Sequence, residues 1–219
     1  MLTFAIGDIH GCLDLLVDLL ARIDREAAGR PYRLICLGDY IDRGPDSAGV
    51  VATLRGRQAG AEPGRVIYLK GNHEDMLLRA LRRPDAVEHW LRNGGRETLE
   101  SFGVRRAEDV PSDILEWVGR CPTAYEDERR CFVHAGLNPA YDRASQRDVD
   151  RLWIRDEFLA VDHDFGRYVV HGHTPLREGR PDVRRHRVNL DTGAVYGGRL
   201  TAAIFLDDAD GPAAFLHSP

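Results

Sequence analysis

Apolar residues in this chain come in short runs, and five of those runs stop abruptly at Gly, Asp, Asn or His. They are LTFAI before GDIHG (2–11), RLICL before GDYIDRG (33–44), RVIYLK before GNHE (65–74), RCFV before HAG (130–136) and YVV before HGH (168–173). Runs of this length, rich in branched and aromatic side chains, predict strands. Between the first two, Leu13, Leu16, Leu19, Leu20 and Ile23 recur at helical spacing with Asp14 and Asp18 on the other side, which predicts an amphipathic helix lying on a sheet. Pro45-Asp46-Ser47 opens a second helix to about residue 57, and a third runs from His73–Glu74 to Pro84. Residues 1–84 therefore read as βαβαβα, with parallel strands and helical crossovers.

The pattern changes over residues 85–120. Val87, Trp90 and Leu91, then Leu99 and Phe102, then Ile114, Leu115 and Trp117 predict short helices broken at Gly94-Gly95 and Pro111. This segment is expected to be a small helical cap inserted between the third and fourth strands. Strands return at 131–134, 167–171, 187–190 and 199–206, with few helices and frequent turns, favouring a more antiparallel second sheet. The expected architecture is α/β, two packed sheets with helices outside, in one domain spanning 1–219.

Strands that end at ligating side chains place those side chains on loops at one sheet edge, where open α/β sheets bind ligands. Asp8, His10, Asp39, Asn72, His134 and His171 are the candidate metal ligands. Carboxylate, imidazole and amide together suit Mn, Fe or Zn better than Mg or Ca. Hydrolytic two-metal sites hold their ions ~3.5–4 Å apart, bridged by a carboxylate, and Asp39 is the candidate bridge. Two divalent cations against the charges of Asp8 and Asp39 leave a positive surplus that suits a phosphate ester. His73, next to Asn72, is the candidate general acid, with Asp42 as the partner that would orient its ring. Arg43 and Arg155 could fork onto phosphate oxygens, although Arg155 equally suits a packed segment with a surface salt bridge.

Bulk properties narrow the classes. The 219 residues are 43% hydrophobic and 30% charged, ordinary for a globular protein. A net charge of −5 gives no global case for nucleic-acid binding. Only Lys70 among the 30 basic residues is a lysine, which genome composition explains more simply than function. The four cysteines form no CxxC pair, so neither a disulfide framework nor a zinc knuckle is expected. The opening MLTFAIGDIHG lacks the basic segment of a signal peptide, and no apolar stretch reaches the ~18–20 residues of a membrane span. A cytoplasmic protein is expected.

At GDIHG, GDYIDRG, GNHE, HAG and HGH the chain resembles the PPP family of metal-dependent serine/threonine protein phosphatases in its compact bacterial and phage form. The motifs run in family order over residues 7–173. The resemblance implies a calcineurin-like metallophosphoesterase fold and hydrolysis of phosphoserine and phosphothreonine, with possible phosphotyrosine tolerance, by a metal-bridging hydroxide without a phosphoenzyme. It implies two divalent ions, manganese foremost: one on Asp8, His10 and Asp39, the other on Asp39, Asn72, His134 and His171. It makes Asp42 and His73 the acid dyad, makes Arg43 and Arg155 phosphate binders, and sets Asn93 of WLRNGG near the substrate. The partner is then a phosphorylated protein; no membrane and no regulatory subunit are implied. The alternative is a dinucleoside polyphosphate hydrolase, a close resemblance whose members lack the Asp of the DRG segment and carry GNHD, whereas Asp42 and Glu74 are present here. A binding protein on an inactive version of the fold is disfavoured by the full ligand set.

Other features have plainer readings. His173 either supports the site or caps a turn, and is not read as a ligand. The arginines at 177, 180, 184, 185 and 187 could receive acidic or phosphorylated partners, but Glu178, Pro181 and Asp182 interrupt them and a solvated hairpin is simpler. Trp90 and Phe102 read as cap core.

Overall fold

The computed structural model describes all residues, Met1–Pro219. Strand β1 (Leu2–Ile6) is buried along its whole length. Its side chains alternate between two cores, as a pleated strand requires. Phe4 and Ile6 pack with Leu16, Leu19 and Ile23 of α1 (Leu13–Ala27) and with Val50, Val51 and Leu54 of α2 (Ser47–Ala59), whereas Ala5 joins the opposite cluster. β2 (Tyr32–Cys36) repeats the pattern, with Leu34 and Cys36 toward the helices and Ile35, then Leu37, toward the other side.

The first sheet has the order β10-β9-β1-β2-β3, completed by β3 (Val66–Tyr68), β9 (Thr201–Phe205) and β10 (Ala214–His217). The second has the order β4-β5-β6-β8-β7, from β4 (Ala124–Glu126), β5 (Arg130–Val133), β6 (Tyr168–His171), β7 (Asp182–Val183) and β8 (Arg187–Asn189). Ala5, Ile35, Leu37, Leu69 and Phe205 of the first sheet meet Phe132, Val170, Val188 and Leu190 of the second in a shared inner core. Cys131, Val133 and Val169 face outward onto Ile154 and onto Phe158 of α8 (Asp156–Leu159), which follows α7 (Asp148–Trp153). The result is a helix–sheet–sheet–helix sandwich, a calcineurin-like α/β fold of two mixed sheets.

Two expectations are corrected. The strand expected at 199–206 does not extend the second sheet: β9 pairs antiparallel with β1 in the first. Nor is the second sheet more antiparallel. Each sheet is built on three adjacent parallel strands, β1–β2–β3 and β5–β6–β8; the first adds two antiparallel strands on one side, the second one on each side. Turn-rich sequence between strands had suggested hairpins, but most of those turns are loops that bring the chain back to the same edge.

Between β3 and β4 the chain is helical: α3 (Asn72–Arg82), α4 (Pro84–Trp90), α5 (Arg96–Phe102) and α6 (Ser112–Arg120). α4 runs into a widened turn at Leu91–Gly95, where Gly94 takes φ 106° and breaks the axis before α5. Trp90, Leu99, Val110 and Ile114 join the same core as α1 and α2. The part of this segment after α3 packs into the body of the protein and brings Trp90 and Thr98 to the site. No helix is long and apolar enough to cross a membrane.

Candidate metal and phosphoryl site

All six strands of the two parallel sets deliver residues to one edge. The loop after β1 carries Asp8 and His10, the loop after β2 carries Asp39–Arg43, and the first turn of α3, entered just after β3, carries Asn72–Glu74. From the second sheet, His134 follows β5, His173 follows β6 and Asp191 follows β8. The backbone there is unusual. Of six non-glycine residues with positive φ, five are His10, Asp39, Asp42, Arg43 and His173. That conformation is costly for residues with a Cβ and clusters at functional sites. His10, two residues from Asp8, is left-handed at φ 48°.

Asp39 lies between the two sheets' contributions. Its Oδ2 faces His10 Nε2 at 3.4 Å and its Oδ1 faces His134 Nε2 at 3.4 Å. Asn72 Oδ1 lies 2.8 Å from His134 Nε2 and 2.8 Å from His173 Nδ1. Asp8 accepts from the His173 amide at 3.1 Å on both oxygens. Burial and neighbouring carboxylates push Asp8 and Asp39 well above the usual carboxylate range, with Asp191 and Asp39 acting on Asp8, and Glu74 and Asp191 on Asp39. Burial holds the His10 and His134 imidazoles neutral, pushed down to about 3.

The donor set fits cations. His134 Nδ1 donates to the Leu37 carbonyl at 3.0 Å and His10 Nδ1 to that of Ile41 at 2.9 Å. Each ring therefore turns an Nε2 lone pair toward the Asp39 carboxylate, and His134 also toward Asn72 Oδ1. Lone pairs facing lone pairs in a dry pocket call for a positive charge between them, and backbone carbonyls behind the rings fix their orientation, as in metal sites. The His173 Nε2 is buried without a hydrogen-bond partner. Two clusters, His10–Asp39–His73 and Asp39–His134–His173, have ligand atoms within 4.8 Å of one another.

The structure gathers Asp8, His10, Asp39, Asn72 and His134, and leaves His171 out. His171 is the last residue of β6, and strand alternation turns it away from the inner-facing Val170. Its ring packs on Phe158 at 5.0 Å and its Nε2 faces Arg187 at 3.5 Å. Gly172 then turns the chain, and His173, at φ 69°, directs its ring into the cluster, 5.0 Å from that of His134. The choice between the two histidines of HGH is corrected to His173.

His73 and Asp42 form a buried pair, with Nδ1 2.7 Å from Oδ2. Burial pushes the imidazole down and the carboxyl up. Asp42 also accepts from Trp90 Nε1 at 3.0 Å and Thr98 Oγ1 at 2.6 Å. Indole can only donate, and donors aimed at a carboxylate favour its charged form. The proton between the partners thus belongs on the ring, whose Nε2 points toward Asp39 Oδ2 at 3.9 Å.

Arg43 reaches the cluster. Its Nη1 donates to His10 Nε2 at 2.7 Å, and its guanidinium lies 5.8 Å over the Tyr196 ring. Its amide donates to the Gly94 carbonyl at 3.2 Å, an approach for which a Cβ on Gly94 leaves no room. Arg155 is exposed and donates to Thr174 Oγ1, next to His173, at 3.4 Å. Asn93 is not brought in: its amide donates to His89 O in its own helix, with no hydrogen bond to the cluster. Gly94, the next residue, makes that contact instead.

Four contributors were not read from the sequence as part of the site. Glu74 is fully buried and accepts from the amides of Asp39, Tyr40 and Gly71, each at 2.8 Å, thereby shaping the Asp39 loop. Trp90 and Thr98 hold Asp42. Asp191, pushed up to about 6 by burial, stands beside Asp8 and accepts from the Gly193 amide. The end of a third parallel strand in the second sheet could have marked Asp191.

Known proteins resemble this chain in sequence and fold. The profile described as calcineurin-like phosphoesterase matches residues 1–200. The chain is 35% identical to serine/threonine-protein phosphatase 1 of Salmonella typhimurium, over 91% of this chain and 90% of that one. It is 29% identical to the asymmetrical bis(5'-nucleosyl)-tetraphosphatase PrpE of Halalkalibacterium halodurans, over 91% and 88%. A crystal structure of a candidate diadenosine tetraphosphatase superposes with a TM-score of 0.71 at 22% identity, covering 100% of this chain and 93% of that one.

Proposed function

We propose that this chain, which belongs to the calcineurin-like phosphoesterase family, is a protein phosphatase that hydrolyses phosphoserine and phosphothreonine monoesters, with phosphotyrosine also admissible. We take residues 1–219 as one catalytic domain with the 85–120 helices as its cap. The observation that carries the substrate reading is the buried His73–Asp42 pair, held from behind by Trp90 and Thr98. A serine or threonine alkoxide is a poor leaving group and needs a proton as it departs. A nucleotide polyphosphate leaves as a stable anion, and for it the pair would be idle.

In this reading Asp8, His10 and Asp39 hold one cation, and Asp39, Asn72, His134 and His173 the other, with manganese matching the mixed donor set. When bound, the two divalent ions supply the charge that lowers the pKa of water and neutralises phosphoryl oxygens. Asp39 presents one oxygen to each side. Glu74 fixes that loop through three amides, so the bridge needs no reorganisation. Arg43 and Arg155 grip the phosphoryl oxygens. Charged Asp42 beside Nδ1 favours the imidazolium against the cost of burial, and from that doubly protonated ring His73 gives its Nε2 proton to the leaving oxygen. The four cysteines are free, as a reducing cytoplasm would keep them.

The second reading, a dinucleoside tetraphosphate hydrolase, is supported by the PrpE relative. His73→Ala separates the two. It is expected to cut turnover of a phosphoserine peptide by about 10²–10⁴-fold, the range of general-acid catalysis, and turnover of p-nitrophenyl phosphate far less. Equal losses on both would remove the general-acid role. Faster cleavage of diadenosine tetraphosphate than of phosphopeptides would favour the second reading.

A further inference from the structure

Beside the metal cluster lies a cavity of about 680 Å³ that the proposed chemistry does not use. Arg177, Arg180 and Arg199 line it, with Glu178 as the single acid, and Thr192 and Tyr196 form the side nearest the cluster. It begins where the site ends. Thr192 follows Asp191, the neighbour of Asp8, and the Tyr196 ring lies under Arg43, whose guanidinium donates to His10.

The arginines divide into two groups. Arg184 and Arg187 pair with Asp182 at 2.8 and 3.2 Å. Arg177, Arg180 and Arg199 are exposed, and no carboxylate lies within ion-pair distance of any of them. Of the other exposed arginines about half have such a partner, for example Arg83, Arg92, Arg106 and Arg120; what sets these three apart is that they share one cavity. Three guanidiniums free of carboxylates around one concavity form a site for an anion that arrives from outside.

We infer that this cavity binds a second anionic side chain of the substrate, a carboxylate or another phosphate, so that phosphoserine flanked by acidic or phosphorylated residues is preferred. The inference rests on the protein-phosphatase reading above. A side chain within about three residues of the phosphoserine spans the step from the cluster, at ~3.3–3.6 Å of extended chain per residue. The walls favour an acidic peptide over a nucleobase. Tyr196 is their only aromatic ring and already carries Arg43 over one face, while glycine, threonine and charge make up most of the rest.

The test uses the metal-loaded protein and two peptides carrying a non-hydrolysable phosphonate in place of phosphoserine, one with neutral neighbours and one with a second phosphonate three residues away. Titration calorimetry is expected to show the second peptide binding about tenfold tighter, a 1.4 kcal/mol difference. The ratio should shrink in concentrated salt, because exposed charges are screened. It should fall to about unity in the triple variant Arg177→Gln, Arg180→Gln, Arg199→Gln. Because the ratio compares two ligands on one protein, a general loss of folding in the variant cancels. Equal affinities in the unaltered protein, or a ratio that survives the triple variant, would overturn the inference while leaving the phosphatase reading intact. If phosphopeptides are not turned over and diadenosine tetraphosphate loses tenfold in KM in the triple variant, the cavity belongs to a nucleotide. The acidic-peptide assignment is then overturned together with the reading beneath it.

Discussion

The loops of the two sheets bring side chains to the same cluster by different means. Those of the first sheet are held by polar networks: Glu74 ties three amides of the Asp39 and Gly71 loops, and Trp90 and Thr98 grip Asp42. Those of the second sheet rely on strand alternation and packing, with His134 anchored to one carbonyl and His173 aimed by a left-handed turn. On the first side, position is set by side-chain hydrogen bonds, most of them between residues 34 to 56 apart in sequence. On the second, it depends on where a strand stops.

Breaking the element common to both sides should have the largest effect. Asp39→Asn is expected to abolish turnover and to reduce bound metal, as measured by metal analysis of the purified variant. Next in size is the histidine pair of the second sheet. His173→Ala should lower metal content and turnover together. His171→Ala should leave metal content unchanged and lower the unfolding free energy by about 1–3 kcal/mol, the usual cost of emptying a packed buried position. The reverse outcome would return the ligand role to His171.

On the first side, smaller changes should sharpen the contrast. In Glu74→Asp the shortened side chain cannot reach all three amides, and each buried donor left unpaired costs about 1–3 kcal/mol. Stability and kcat should fall together, in thermal unfolding and in steady-state kinetics. The smallest effect belongs to Trp90→Phe, which removes one donor from Asp42. A loss of about tenfold on phosphoserine follows from ~1.4 kcal/mol of the barrier, with little change on p-nitrophenyl phosphate.

The same contrast decides what the sequence made legible. The strands of the first sheet, their crossovers and Asp8, His10, Asp39, Asn72 and His73 are readable because each motif closes a strand within a few residues. His134 is equally plain. HGH was harder, because either histidine suits a ligand by type. The period-2 rule carried along YVVH does separate them: Val170 faces the inner core, so His171 must share the outer face of Val169. The left-handed turn that redirects His173 leaves no mark in composition. Trp90 and Thr98 were hidden for another reason, since they lie 48 and 56 residues from Asp42. β9 joined the first sheet because pairing at that distance is set by which edge of β1 is free, and no local pattern records it.

The most direct measurement of the central claim is anomalous diffraction at the manganese edge from crystals grown with that metal. Two peaks are expected, ~3.5–4 Å apart, with Asp39 between them and His173 on one of them. A single peak, or a second one held by His171 with His173 turned away, would contradict the account.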